Sequence, residues 1–87
     1  MDVLSERIRT ILAVELQVDQ ARIVPAASLR EELGMDSIAA LNILFAVQES
    51  FGVEIPESEV VGIRTVSDVD GLIRIHLSKN GVKNGRS

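Results

Sequence analysis

The sequence predicts an all-α fold, a small four-helix bundle with three longer helices and one short helix before the last. Three observations predict it: apolar residues recur at helical spacing in separate stretches, none of these stretches alternates as a half-buried strand would, and glycine or proline stands between them. The 87 residues leave room for one domain. A chain of this size buries roughly 60–65% of the surface exposed when unfolded. Residues 1–77 are expected to form the domain, and residues 78–87, rich in Gly, Asn, Lys and Ser, a flexible tail.

Leu4, Ile8, Ile11, Leu12 and Leu16 line one side of a helix over Val3–Leu16. Asp2 or Ser5 can cap it, and Glu6, Arg7, Arg9 and Glu15 take the wet side. Periodicity fades over residues 17–28, where Pro25 blocks helix continuation and Val18 and Ile23 are expected to tuck under the loop. A connection of about a dozen residues is usually functional or partly structured. A short extended reading of residues 21–24 stays open. Ser28-Leu29-Arg30-Glu31 has the spacing of a capping box, so a short helical turn is expected to bring Leu29 and Leu33 to the core.

Gly34 then supplies a turn, Asp36 is a helix N-cap, and Ser37 opens a second helix over Ser37–Phe51. At about 100° per residue, Ala40, Ile43, Leu44, Val47 and Phe51 gather on one side, the core face. Ile38, Asn42, Phe45 and Glu49 gather on the other, with Leu41 at its flank. A helix apolar nearly all round is either buried or has a partner for its second face. In a chain this short the partner is favoured; the alternative is that Leu41 and Phe45 pack under the preceding loop.

Gly52 ends the second helix, and Pro56 is placed for the first turn of a short third helix over residues 56–61, with Val60, Val61 and Ile63 inward or partly so. The acidic residues Glu54, Glu57 and Glu59 suit a helix start better than a divalent-cation site. Thr65 or Ser67 caps the last helix, along which Val66, Val69, Ile73 and Leu77 recur, with Asp68 and Asp70 in its first turn. His76, without a second imidazole to form a metal site, is expected at the surface near the C-terminal dipole.

Composition narrows the function. With no cysteine there is neither a disulfide nor a thiolate metal site, and with only Phe45 and Phe51 aromatic the core must be aliphatic. A net charge of −4 and a pI near 4.8 argue against nucleic acid or an anionic membrane surface and favour a basic partner face. No run approaches the ~18 apolar residues of a membrane span, and Met1-Asp2-Val3 lacks the basic region of a secretory signal, so a cytoplasmic monomer is the expectation.

Ser37 stands at the mouth of a helix, beside unpaired N–H groups and the positive end of the dipole, which suits an attached phosphate. With no Gly-x-Ser-x-Gly elbow, and the only histidine near the end of the last helix, it has no activating base; it reads as a serine that is acted upon. The motif Leu33-Gly34-Met35-Asp36-Ser37-Ile38, with the later Phe51-Gly52-Val53-Glu54-Ile55-Pro56, resembles the attachment site of acyl carrier proteins, whose Asp-Ser-Leu-type tripeptide opens the second helix. The resemblance covers residues 4–77. It implies a 4′-phosphopantetheine arm on Ser37, moved there from coenzyme A by a phosphopantetheinyl transferase for which Asp36 is a recognition residue as well as the cap. It further implies a carrier rather than an enzyme, holding fatty acyl, polyketide or aminoacyl cargo as a thioester for acyl-activating and acyl-transferring enzymes.

The departures from that family are informative. Fatty-acid-synthesis carriers have a strongly acidic second helix, whereas Ala39, Asn42 and Gln48 stand here where acids are common, leaving Glu49 as the main charge. Charge selects partners, so the change implies dedicated enzymes of a specialised pathway. They would dock on an apolar patch of Ile38, Leu41 and Phe45 flanked by Asn42 and Glu49, with Glu54 and Glu57 supplying charge the helix lacks. The rival expectation is an unmodified helical interaction module of the same fold, for which an intact Asp36-Ser37 pair has no use.

Overall fold

The computed structural model describes the backbone of residues 3–86 and the side chains of residues 3–78. Among the described residues four α-helices follow in order: α1 (Val3–Leu16), α2 (Ser37–Phe51), α3 (Glu57–Val60) and α4 (Val66–Arg86), with a 3-10 turn at Gln20–Arg22. This is the all-α bundle that the periodicity calls for. The sole strand-like pairing among the described residues is an isolated antiparallel bridge between Ser28 and Thr65.

The α1 stripe is inward as expected: Ile8, Leu12 and Ala13 are buried, and Leu4, Ile11 and Leu16 pack against them. Ser5 does not cap α1; it lies inside the helix and donates to Asp70 Oδ2 at 2.9 Å, tying α1 to α4. Asp2 lies outside the described residues. Arg9 and Glu15 are half-buried rather than wet, Arg9 because the loop residues Ile23 and Pro25 and the start of α4 close over that side. Arg7 stays exposed but lies over the Phe51 ring, 4.4 Å from its centroid, and donates to the Ser50 carbonyl at 2.9 Å.

In the long loop Val18 and Ile23 tuck inward as their apolarity requires. Residues 21–24 form no strand: residues 20–22 are a 3-10 turn, which Asp19 caps by accepting the Ala21 N–H at 3.0 Å. The capping box at Ser28 forms with a displaced partner: Ser28 Oγ accepts the Glu31 N–H at 3.2 Å, but the carboxylate that receives the Ser28 N–H is that of Glu32, at 2.6 Å. The N–H groups of Glu32 and Leu33 then both reach the Ser28 carbonyl, at 3.0 and 3.1 Å, so the segment is the expected single helical turn, widened at its end. It seats Leu29, Leu33 and Met35 in the core.

Gly52 closes α2 in the left-handed conformation (φ 67°) and donates to the Gln48 carbonyl at 2.9 Å. Pro56 takes the N-cap position of α3 rather than its first helical turn. That helix buries no residue, and Val61, expected inward or partly so, is 85% exposed. A four-residue helix has one inward direction, which Val60 occupies.

At the start of α4 the cap is Thr65, not Ser67. Thr65 Oγ1 accepts the Asp68 N–H at 3.2 Å, and Asp68 Oδ2 accepts those of Arg64 and Thr65 at 3.0 and 3.1 Å. The backbone donors of Arg64 and Thr65 hold the Asp68 carboxyl below its ordinary value. Its stabilising contribution is present above the ordinary carboxylate range and lost as the pH falls through the lowered value.

Val66, Val69 and Ile73 are buried, and so, against expectation, is His76, at 9% exposure. It follows Ile73 by three residues on the same stripe, and its Nε2 lies 2.7 Å from Glu59 Oε1, joining α4 to α3. The α4 backbone runs on to Arg86, past Leu77 where the apolar stripe stops. The segment expected as a tail is thus helical in backbone through residue 86, and the side chains of residues 79–87 lie outside the described residues.

Ile8, Leu12, Ile23, Leu29 and Ile73 form the fully buried centre. No helix of the described residues is long and apolar enough to cross a membrane.

Candidate functional site

The site begins with a turn. Gly34 takes φ 75°, a conformation that disfavours any side chain, and the Met35 N–H donates to the Leu29 carbonyl at 2.8 Å, anchoring the turn to the loop behind it. Asp36 follows in extended conformation as the N-cap of α2; its Oδ1 accepts the Ala39 N–H at 2.8 Å and its carbonyl the Ala40 N–H at 2.9 Å. The amides of Ser37 and Ile38 have no partner among the described residues. Ser37 is exposed directly in front of them, at the positive end of a helix of 15 residues. Asp36→Ala is expected to lower the unfolding free energy by about 1 kcal/mol, read by urea denaturation, since it removes one cap bond.

Ser37 opens onto a cleft of about 440 Å³ between α2 and α3, whose walls include Arg30, Leu41, Glu57, Ser58 and Val61. Arg30 and Glu57 have no hydrogen-bond or ion-pair partner among the described residues. Behind the cleft, Ala40, Ile43, Leu44 and Val47 of α2 meet Leu29, Ile55, Val69 and Ile73 around an apolar void of about 30 Å³. A chain attached at Ser37 has room in the outer cleft rather than in the core.

The other candidate residues fall where the helical wheel puts them. Ile38, Leu41 and Phe45 are 71%, 39% and 55% exposed, so Leu41 and Phe45 do not pack under the loop, and Asn42 and Glu49 are exposed beside them. Glu57 joins Ser37 and Leu41 in the cleft. Glu54 is exposed but lies just past Gly52, at the end of α2 opposite Ser37, so the two acids do not share one site. No group of three or more His, Cys, Asp or Glu among the described residues is placed to hold a metal ion.

Arg30 is the residue that sequence reasoning passed over, as filler inside the Ser28 capping box. Its position just before Leu33-Gly34 was the available signal, because a turn that returns the chain to Ser37 carries its outward side chains to the same rim.

The chain has counterparts among known proteins. A family model described as phosphopantetheine attachment site matches residues 6–72. An acyl carrier protein of Thermosynechococcus vestitus is 42% identical over 64 residues, 74% of this chain and 79% of that protein. A solved structure from Mycobacterium tuberculosis, presented as a candidate acyl carrier protein, superposes with a TM-score of 0.79 at 23% identity, covering 84% of this chain and 97% of that one. The last is a likeness of fold.

Proposed function

The chain belongs to the phosphopantetheine-attachment family as an acyl carrier protein, and on that premise we propose that Ser37 is the residue that bears its 4′-phosphopantetheine arm. As a carrier it is not an enzyme, and its work brings it to a phosphopantetheinyl transferase and to acyl-handling enzymes. The observation that carries the assignment to Ser37 is its exposed hydroxyl, which makes no hydrogen bond among the described residues and stands before two unpartnered amides at a capped helix start.

The residues present fit the group. The amides of Ser37 and Ile38 at the start of α2 would hold a phosphodiester on Ser37, and the helix dipole would offset part of the repulsion from Asp36. When bound, the arm supplies a thiol that holds the acyl group as a thioester. Ser37 would supply the oxygen of the phosphodiester and lose its proton as the pyrophosphate bond of coenzyme A breaks and 3′,5′-ADP leaves, Asp36 fixes the helix start, and the cleft walls would give the root of the arm a surface. The test is an intact-mass spectrum after incubation with coenzyme A and a broad-specificity phosphopantetheinyl transferase: one pantetheinyl increment is expected, and none, where a control carrier is converted, overturns the assignment.

Partners dock on the exposed face of α2 through Ile38, Leu41 and Phe45, with Asn42 and Glu49 beside them and Glu54 and Glu57 adding charge. Large exposed apolar side chains on one helix face support this reading. Phe45→Ala is expected to weaken a partner enzyme's apparent affinity roughly tenfold, measured as KM in acyl loading, while changing stability by no more than about 0.5 kcal/mol. A large stability loss with unchanged KM would remove Phe45 from the docking face. In this reading residues 1–77 are the carrier unit, residues 78–87 follow it as a C-terminal tail, and the protein works as a cytoplasmic monomer delivering a fatty acyl, polyketide or aminoacyl group within a specialised pathway.

A further inference from the structure

We propose that Arg30 binds the phosphodiester of the arm and so lays the root of the arm into the cleft between α2 and α3, an inference that rests on Ser37 as the attachment residue. Arg30 and Ser37 line the same cleft, and Arg30 is the cation among the residues that line it. Three other arginines are engaged elsewhere: Arg7 with Ser50, Arg22 with the Glu32 carbonyl, and Arg74 with Asp70. Arg30 has no such partner among the described residues.

Attachment places a negative charge next to the Asp36 carboxylate, and Glu57 adds another acid to the cleft wall. The helix dipole relieves part of that repulsion and a nearby guanidinium relieves more, because its planar donors match two phosphate oxygens at once. The rest of the cleft suits the pantetheine beyond the phosphate. Leu41, Val60 and Val61 offer an apolar surface to its geminal methyl groups, and Glu57 and Ser58 offer acceptors to its amide N–H groups. Arg30 thereby sets the direction in which the arm leaves Ser37, along α3 rather than straight into solvent.

The experiment compares ¹⁵N-labelled apo and fully loaded protein by NMR, after mass spectrometry has confirmed loading, with a ¹³C-labelled arm in the loaded form. The Arg30 Nε–Hε resonance is expected to shift on loading by more than that of any other arginine. The shift should collapse toward its apo position near 1 M salt, where the screening length falls to about 3 Å. The arm's geminal methyl groups are expected to show nuclear Overhauser contacts to Leu41 and Val61. These should be lost in Arg30→Gln and partly retained in Arg30→Lys, which keeps the charge but not the planar fork. Arg30 is exposed, so the apo spectra of both variants should otherwise match the parent. An Arg30 resonance indifferent to loading, or methyl contacts unchanged in Arg30→Gln, overturns the inference while leaving Ser37 as the attachment site. Failure to load at all overturns both.

Discussion

Ser37→Ala is expected to abolish loading completely and leave the protein folded. The hydrogen bond that caps α2 is made by Asp36, not by Ser37, whose hydroxyl makes none among the described residues. Removing an exposed, unbonded hydroxyl changes stability by no more than about 0.5 kcal/mol, and alanine is the better helix former. Intact mass after treatment with coenzyme A and the transferase should show a single increment in the parent and none in the variant. Circular dichroism and the urea midpoint should coincide. An unfolded variant would make Ser37 a structural residue. A variant that still gained the increment would move the attachment elsewhere, with Ser58, in the same cleft, the first position to test.

The largest stability effect is expected at Leu12, which is 0% exposed in the middle of the α1 stripe. Truncating a buried leucine removes its transfer free energy and leaves a cavity, at a cost of about 2–5 kcal/mol. Small domains have in total about 5–15 kcal/mol. Each kcal/mol lowers Tm by roughly 4–8 °C at this chain length, so Leu12→Ala should be visible both in a thermal scan and as a lower urea midpoint at unchanged slope. A loss well below 1 kcal/mol would mean that the α1 interface repacks freely. The contrast with Phe45→Ala separates the two apolar surfaces: one holds the bundle together and the other is free for partners.

Much of this was legible because helices advertise themselves locally. The spacing of Leu4, Ile8, Leu12 and Leu16 foretells α1, the Gly34-Asp36-Ser37 run foretells the turn and cap, and the wheel of α2 separates Ile43 and Val47 from Ile38 and Phe45. What escaped was decided at a distance. Ser5 has the composition of a cap, but its partner is Asp70 on another helix. His76 looks like a terminal surface residue until its place on the stripe of Ile73 is counted, and even then its partner, Glu59, is supplied by tertiary structure. The switch from Glu31 to Glu32 in the Ser28 cap accompanies a single turn that widens at Leu33, whose N–H also reaches the Ser28 carbonyl, instead of running on as a helix. Arg30 carries no pattern of its own, and only the fold brings it to the rim of the Ser37 cleft.

The two walls of that cleft are unequal in strength. α2 is 15 residues long, capped at both ends and rooted in the core by Ala40, Ile43, Leu44 and Val47. α3 is a single turn with no buried residue and no side-chain cap, held to α4 by the Glu59–His76 contact. Regions with so few buried contacts open at a small fraction of the free energy of global unfolding. Amide exchange should therefore be fast across residues 57–60 and slow across the middle of α2. The pocket beside Ser37 has one stiff jaw and one compliant jaw, so it can widen while the rest of the bundle keeps its shape.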